Sequence, residues 1–258
     1  MRAGRRLLIK KEQFAEINGR RKKIASTEFF YADPGQDFHS KNGRVLKADL
    51  ARPSGSRFSS GNHEYVILDC DFIDHYRRIK RSAQIIGLKD IGPIITKAGL
   101  TRSSKVLEAG VGSGAVTCFL ANLVKKIVSY DVDERSLETA RENVKSFGFK
   151  NVTIKKGDIY EAKNVSEKGF DAFVLDAPEP WKALGTARKA LRVGGFLAVY
   201  VPHVMQVQNF VNALGDDFLL DSVIEVIERE WAIDENRTRP TTKDHAHTGF
   251  LAFARRIS

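Results

Sequence analysis

Glu108-Ala109-Gly110-Val111-Gly112-Ser113-Gly114 sets a carboxylate two residues ahead of three glycines on alternate positions. Glycine has no Cβ, so the backbone there can turn tightly and touch a ligand directly. The residues from Ala115 onward read as a helix, whose free N–H groups and dipole favour a carboxylate or phosphate. Such a run supports a socket for a nucleoside cofactor. A tight turn in any α/β protein has the same look, so the run alone names no ligand. Three more acids join it. Asp131 lies about 20 residues beyond the first glycine, where a carboxylate accepts both ribose hydroxyls. Asp158 follows Gly157 and is placed to accept from an adenine amino group. Asp176 ends a further apolar run.

The elements that must position these groups follow from the patterning. Strands are expected over 126–131, 152–155 and 172–175, with a helix over 134–147 that lines up Leu137, Ala140, Val144 and Phe147. Tyr200 ends another strand, 196–199. Each acid falls at the carboxyl end of a strand, where open α/β sheets bind ligands. The βαβ rhythm continues to about Val201 and implies a parallel sheet covered on both faces. Upstream, β-like runs at 7–9, 27–31, 45–46 and 65–68 alternate with turn signals such as Lys41-Asn42-Gly43. A helical connection is expected over 73–79. The chain therefore divides into a small, basic, mostly-β domain (1–75) and an α/β domain (76–258).

Length and composition bound the function. A chain of 258 residues can form one large domain and a small one. No apolar run approaches the ~20 residues that span a membrane, and 7–9 is too short for a signal-peptide core. Cys70 and Cys118 show no metal or disulfide spacing, and His245 and His247 are too few for a convincing metal site. No metal is expected, and the setting expected is reducing and cytoplasmic. Residues 1–105 carry 22 Lys and Arg against 11 Asp and Glu, while the remainder carries 20 against 21. The net charge of +10 thus belongs to the N-terminal part, with clusters at Arg2, Arg5, Arg6, at Arg20-Arg21-Lys22-Lys23 and at Arg77, Arg78, Lys80, Arg81. That field attracts polyanions and favours nucleic acid as partner.

Glu108 to Gly114 resembles motif I of S-adenosylmethionine (SAM) methyltransferases, its third glycine standing one residue earlier than in dinucleotide enzymes. Further motifs narrow the resemblance. They are Asp37-Phe38-His39, Gly61-Asn62-His63-Glu64-Tyr65, Lys80-Arg81-Ser82-Ala83-Gln84-Ile85-Ile86 with Lys89-Asp90, Asp176-Ala177-Pro178-Glu179-Pro180, Tyr200-Val201-Pro202 with Gln206-Val207, Arg239-Pro240, and His247-Thr248-Gly249-Phe250. Over about residues 37–258 the chain resembles the archaeal tRNA (adenine-N1)-methyltransferases of the TrmI family.

The resemblance implies a Rossmann-like SAM-dependent methyltransferase sheet with a small N-terminal mostly-β domain. It implies SAM as cofactor, S-adenosylhomocysteine as its product, and a homotetramer that makes 1-methyladenosine at position 58 of the tRNA T-loop, with or without position 57. Asp176 matches the catalytic aspartate and also stands among the cofactor-binding residues. Tyr200 is the second catalytic candidate, beside the adenine by stacking or hydrogen bonding. Gln84, Ser113, Gly114, Ala115 and Val116 match SAM-contacting segments, alongside Glu108, Gly110, Gly112, Asp131 and Asp158. Ser136 matches a position against the cofactor adenine. Lys89 is open between a structural and a phosphate contact. The basic extension before Thr27 departs from the family pattern. Three other readings compete: a methyltransferase for protein isoaspartate, a non-catalytic tRNA-binding subunit, and a nicotinamide oxidoreductase.

Overall fold

Positive charge and short strands open the chain; apolar strands alternating with helices follow. The computed structural model describes residues 5–82, 84–234, 237–241 and 247–258, and it divides into two units, Met1–Arg78 and Ile79–Ser258. Arg2, Ala83 and His245, singled out above, lie outside the described residues.

In the first unit, β1 (Arg6–Lys10) leads into a separate hairpin of β2 (Gln13–Ile17) and β3 (Arg20–Ala25). Then come β4 (Glu28–Ala32), the short pair β5 (Phe38–Ser40) and β6 (Gly43–Val45), one helical turn α1 (Lys47–Leu50), β7 (Arg57–Ser60) and β8 (His63–Asp69). The antiparallel order is β4-β1-β8-β7. Alternation puts Leu8, Tyr65 and Ile67 on one face, where they pack with Ala32, Val45, Leu50 and Phe58. The β2–β3 hairpin was not anticipated. Its turn, Asn18-Gly19, holds φ of 54° and 66°, the paired left-handed conformation that matches strand twist. The connecting helix α2 (Phe72–Tyr76) is shorter than the expected 73–79. Asp71 sets its start by accepting from the Ile73 and Asp74 amides.

The second unit begins with α3 (Leu88–Lys97) and then alternates: β9 (Lys105–Ala109), α4 (Ala115–Ala121), β10 (Lys126–Asp131), α5 (Glu134–Phe147), β11 (Val152–Lys156), β12 (Phe170–Asp176), α6 (Leu184–Ala190), β13 (Leu191–Val201) and α7 (Val204–Ala213). The α5 face predicted from its period is buried: Leu137, Ala140, Val144 and Phe147 all face the core. After α7 the alternation gives way to β14 (Phe218–Glu225), a small hairpin of β15 (Trp231–Asp234) and β16 (Arg237–Pro240), and β17 (Phe250–Arg256). The sheet order is β11-β10-β9-β12-β13-β17-β14. The first five strands pair in parallel, and β17 runs antiparallel between β13 and β14. The chain runs outward from β9 through β10 to β11, then returns to lay β12 on the other side of β9. That reversal opens a crevice at the carboxyl ends of β9 and β12.

Candidate active site

The crevice is shaped by one missing side chain. β9 and β12 pair in register, Ala109 opposite Leu175, so the next residues, Gly110 and Asp176, meet at the strand ends. A Cβ on Gly110 would stand 1.9 Å from the Asp176 carbonyl oxygen, and Gly110 holds φ +78°. Only glycine meets both demands. Gly112 donates its amide to Asp131 Oδ2 at 3.0 Å, and Asp133 donates to Asp131 Oδ1 at 3.0 Å. The glycine turn and the end of β10 are thereby locked together. Asp133 caps α5 by accepting from both the amide and the hydroxyl of Ser136.

Two adjoining cavities occupy this crevice. A narrow cleft of about 30 Å³ is lined by Gln84, Ile85, Ile86, Glu108, Gly110, Gly112, Ser113, Ala115, Val116 and Asp176, among others. A wider one of about 400 Å³ is lined by Gln84, Gly110, Gly112, Asp131, Val132, Ser136, Asp158, Tyr160, Asp176 and Pro178, among others. The latter has the size of a small-molecule site. Four carboxylates line the pair, and among the described residues no Lys or Arg does. A cationic ligand suits such walls; a pyrophosphate does not. Two of the carboxyls are held near neutrality. Burial pushes Asp176 up to about 7, and the nearby Asp131 charge adds to it. Burial likewise pushes Glu108 up to about 7, although Ser129 and Thr117 donate to its Oε2, each at 2.6 Å, and draw it back down.

Asp176 opens a braced loop. Gln206 Nε2 donates to the Pro178 carbonyl at 2.8 Å, and the Glu179 amide donates to the Tyr160 hydroxyl at 3.1 Å. Pro180 then begins a 3₁₀ turn, Pro180–Ala183.

Eleven of the residues expected at the site converge on these cavities: Gln84, Glu108, Gly110, Gly112, Ser113, Ala115, Val116, Asp131, Ser136, Asp158 and Asp176. Two do not. Gly114, expected at the cofactor, is buried where α4 approaches α5; a Cβ there would press on Ala140 at 3.0–3.1 Å. Its smallness serves helix packing. Tyr200, expected beside the adenine, lines neither cavity. Its hydroxyl donates to the Thr248 carbonyl at 2.6 Å, and Gly249 lies flat against its ring. Lys89 resolves as structural: it bonds Asp90 Oδ1 at 2.9 Å and the Val226 carbonyl at 2.6 Å. The sequence reading missed Asn143, which is buried on α5. Its side chain pairs with both the amide and carbonyl of Lys80 and with the Ser113 carbonyl, tying the segment before Gln84 to the glycine turn. The signal was an Asn on the apolar face of an otherwise regular helix, where an unpaired amide would be costly.

The family described as tRNA methyltransferase complex GCD14 subunit matches residues 77–238. The chain is 33% identical over 228 residues to a tRNA (adenine(57)-N(1)/adenine(58)-N(1))-methyltransferase TrmI of Methanocaldococcus jannaschii, covering 76% of this chain and 80% of that protein. Among solved structures it is similar to a SAM-dependent O-methyltransferase of Thermotoga maritima (TM-score 0.82, 27% identity, 100% of this chain and 95% of that one). It is also similar to the tRNA (m1A58) methyltransferase TrmI of Aquifex aeolicus (TM-score 0.78, 25% identity, 98% and 97%).

Proposed function

This chain belongs to the tRNA methyltransferase complex GCD14 subunit family, and from that premise we propose that it forms 1-methyladenosine in tRNA, at position 58 of the T-loop. The cofactor is S-adenosylmethionine, which when bound supplies an electrophilic methyl group. The observation that carries the proposal is Asp176, a half-buried carboxyl on the wall shared by both cavities. Asp131 and Asp158 are suited to hold the cofactor's ribose and adenine, with Gln84, Ser136 and the turn at Gly110 and Gly112 around them. The acid walls fit a cofactor that carries a positive sulfur.

Adenine N1 attacks through an in-plane lone pair and has no proton to lose, so the site needs no strong base. Asp176 accepts from the exocyclic amino group of the target adenine. That bond turns N1 toward the methyl group and stabilises the positive charge growing on the ring. The base must first leave its place in the folded tRNA, at a cost of a few kcal/mol. Backbone contacts elsewhere offset that cost.

For those contacts we propose the first unit, with its β2–β3 hairpin foremost. Arg20 and Lys22 lie on the same face of β3, opposite Ile17 and Ala15 of β2, and both are exposed. On the other face Arg21 stacks on Phe14 at 4.1 Å, and Lys23 pairs with Glu12. Charge reversal of Arg20 and Lys22 together is expected to weaken tRNA binding and to flatten the plot of log K against log salt by about 2, one phosphate contact per residue. An unchanged slope, measured by filter binding across salt, removes the hairpin from the interface.

We further propose a homotetramer in the cytoplasm. Ile227, Trp231 and Ile233 are 67%, 54% and 75% exposed, which suits a subunit contact. Among the described residues no helix is long and apolar enough to cross a membrane. The isoaspartate reading does not account for the basic first unit. The non-catalytic reading does not account for a complete set of acids around the glycine turn. Mass spectrometry of nucleosides from tRNA incubated with the protein and SAM tests the proposal. 1-Methyladenosine is the expected product, and its absence while calorimetry shows SAM bound would overturn the assignment.

A further inference from the structure

His247 of the C-terminal His-Thr-Gly motif is not a cavity residue, yet it stands at the head of a hydrogen-bond chain that ends in the active-site loop. Its Nδ1 meets Glu225 Oε1 at 2.6 Å, and its Nε2 meets the Pro202 carbonyl at 2.9 Å. Both partners are acceptors, so the ring satisfies both only when each nitrogen carries a proton. The Pro202 carbonyl and the His203 amide belong to one peptide plane. The His203 amide donates to Gln206 Oε1 at 3.1 Å, and Gln206 Nε2 donates to the Pro178 carbonyl at 2.8 Å. A carbonyl that accepts from a charged donor polarises its own amide into a stronger donor, so the links reinforce one another.

We infer that His247 is a positioning residue for methyl transfer: as an imidazolium it fixes the Pro202–His203 peptide and, through Gln206, the loop that carries Asp176. The inference rests on the proposed function for its catalytic consequence, but the chain of bonds stands without it. The groups facing the ring are Glu225 from β14, Lys89 from α3 and the Phe250 ring from β17 at 5.0 Å; on the next residue, Thr248 Oγ1 donates to Asp90 at 2.8 Å. The Glu225 carboxylate and the Pro202 carbonyl raise the His247 pKa above its ordinary value, while Lys89 works against them. The two-sided bond is therefore whole while the ring is protonated and is lost as pH rises through the raised pKa.

The test combines His247→Gln, Gln206→Leu and the double variant. Each single change is expected to lower kcat about tenfold by loosening the loop, with SAM affinity unchanged by calorimetry. The double variant is expected to fall no further, because both changes cut one chain. Amide exchange at Ala177 and Glu179, read by mass spectrometry in the protein without substrate, should quicken in all three. Wild type should also lose rate on the alkaline side, and Glu225→Gln should move that loss to lower pH. A double variant about a hundredfold down, the product of two independent effects, overturns the inference. So does unaltered exchange at the loop. If His247→Gln fails to fold, Glu225→Gln and Gln206→Leu supply the same cycle. Should wild type make no 1-methyladenosine, the functional reading fails while the exchange result still decides the positioning.

Discussion

Asp176→Asn is expected to bind SAM, to transfer methyl groups about 10²–10³-fold more slowly, and to unfold at a higher temperature than the wild type. The asparagine keeps the shape and can still accept from the adenine amino group, but it brings no charge to the ring as positive charge develops. The gain in stability follows from burial. In the unfolded chain the carboxyl loses its proton near its ordinary pKa of about 4, whereas in the fold it holds it up to about 7. Between those values the folded state binds more protons than the unfolded one. Stability therefore falls as pH rises through that window and stays low above it. At neutral pH the charged carboxylate costs the free fold a few kcal/mol, which the amide removes. Tm should rise by several degrees at pH 7.5 and by little at pH 4. A rate near the wild type, in a single-turnover assay, would take Asp176 out of the mechanism. Equal Tm shifts at both pH values would show that its carboxyl is not strained by burial.

Gly110→Ala is expected to abolish SAM binding and to destabilise the second unit by more than about 4 kcal/mol. The added methyl would stand 1.9 Å from the Asp176 carbonyl oxygen and 2.9 Å from its carbon, so β9 and β12 must part at the very ends that form the crevice. The positive φ adds strain of about 1–2 kcal/mol. Gly112→Ala is the control. It too has positive φ, 49°, but its Cβ would meet nothing within 4 Å. It should cost only the backbone strain and leave a folded protein. Thermal melts separate the two, and wild-type SAM affinity in Gly110→Ala, read by calorimetric titration, would mean that the strand ends tolerate separation.

Much of the second unit was legible because parallel strands covered on both faces read as largely apolar runs, and two of them end in an acid, Asp131 in β10 and Asp176 in β12. The β2–β3 hairpin escaped notice because Arg20-Arg21-Lys22-Lys23 has no apolar alternation, although Asn18-Gly19 carries its own turn signal. Tyr200 and Gly114 could not be placed from local pattern. Whether an aromatic at a strand end faces a ligand or a neighbouring loop depends on what pairs beyond it, here β17 and the Thr248 carbonyl 48 positions away. The His-Thr-Gly motif stood out as a string of residues, but its work lies in contacts with Asp90, 158 positions earlier, and with Pro202.

Two glycines carry different histories. The obstacle to a side chain at Gly110 is a main-chain oxygen, which every amino acid possesses; no replacement at position 176 relieves it. At Gly249 the obstacle is the Tyr200 ring, whose atoms would lie 2.6–2.8 Å from a Cβ. There a smaller residue at 200 makes room. Drift through sequence space is thus closed at one glycine whatever the background, and at the other it is open to any lineage that first trims the tyrosine.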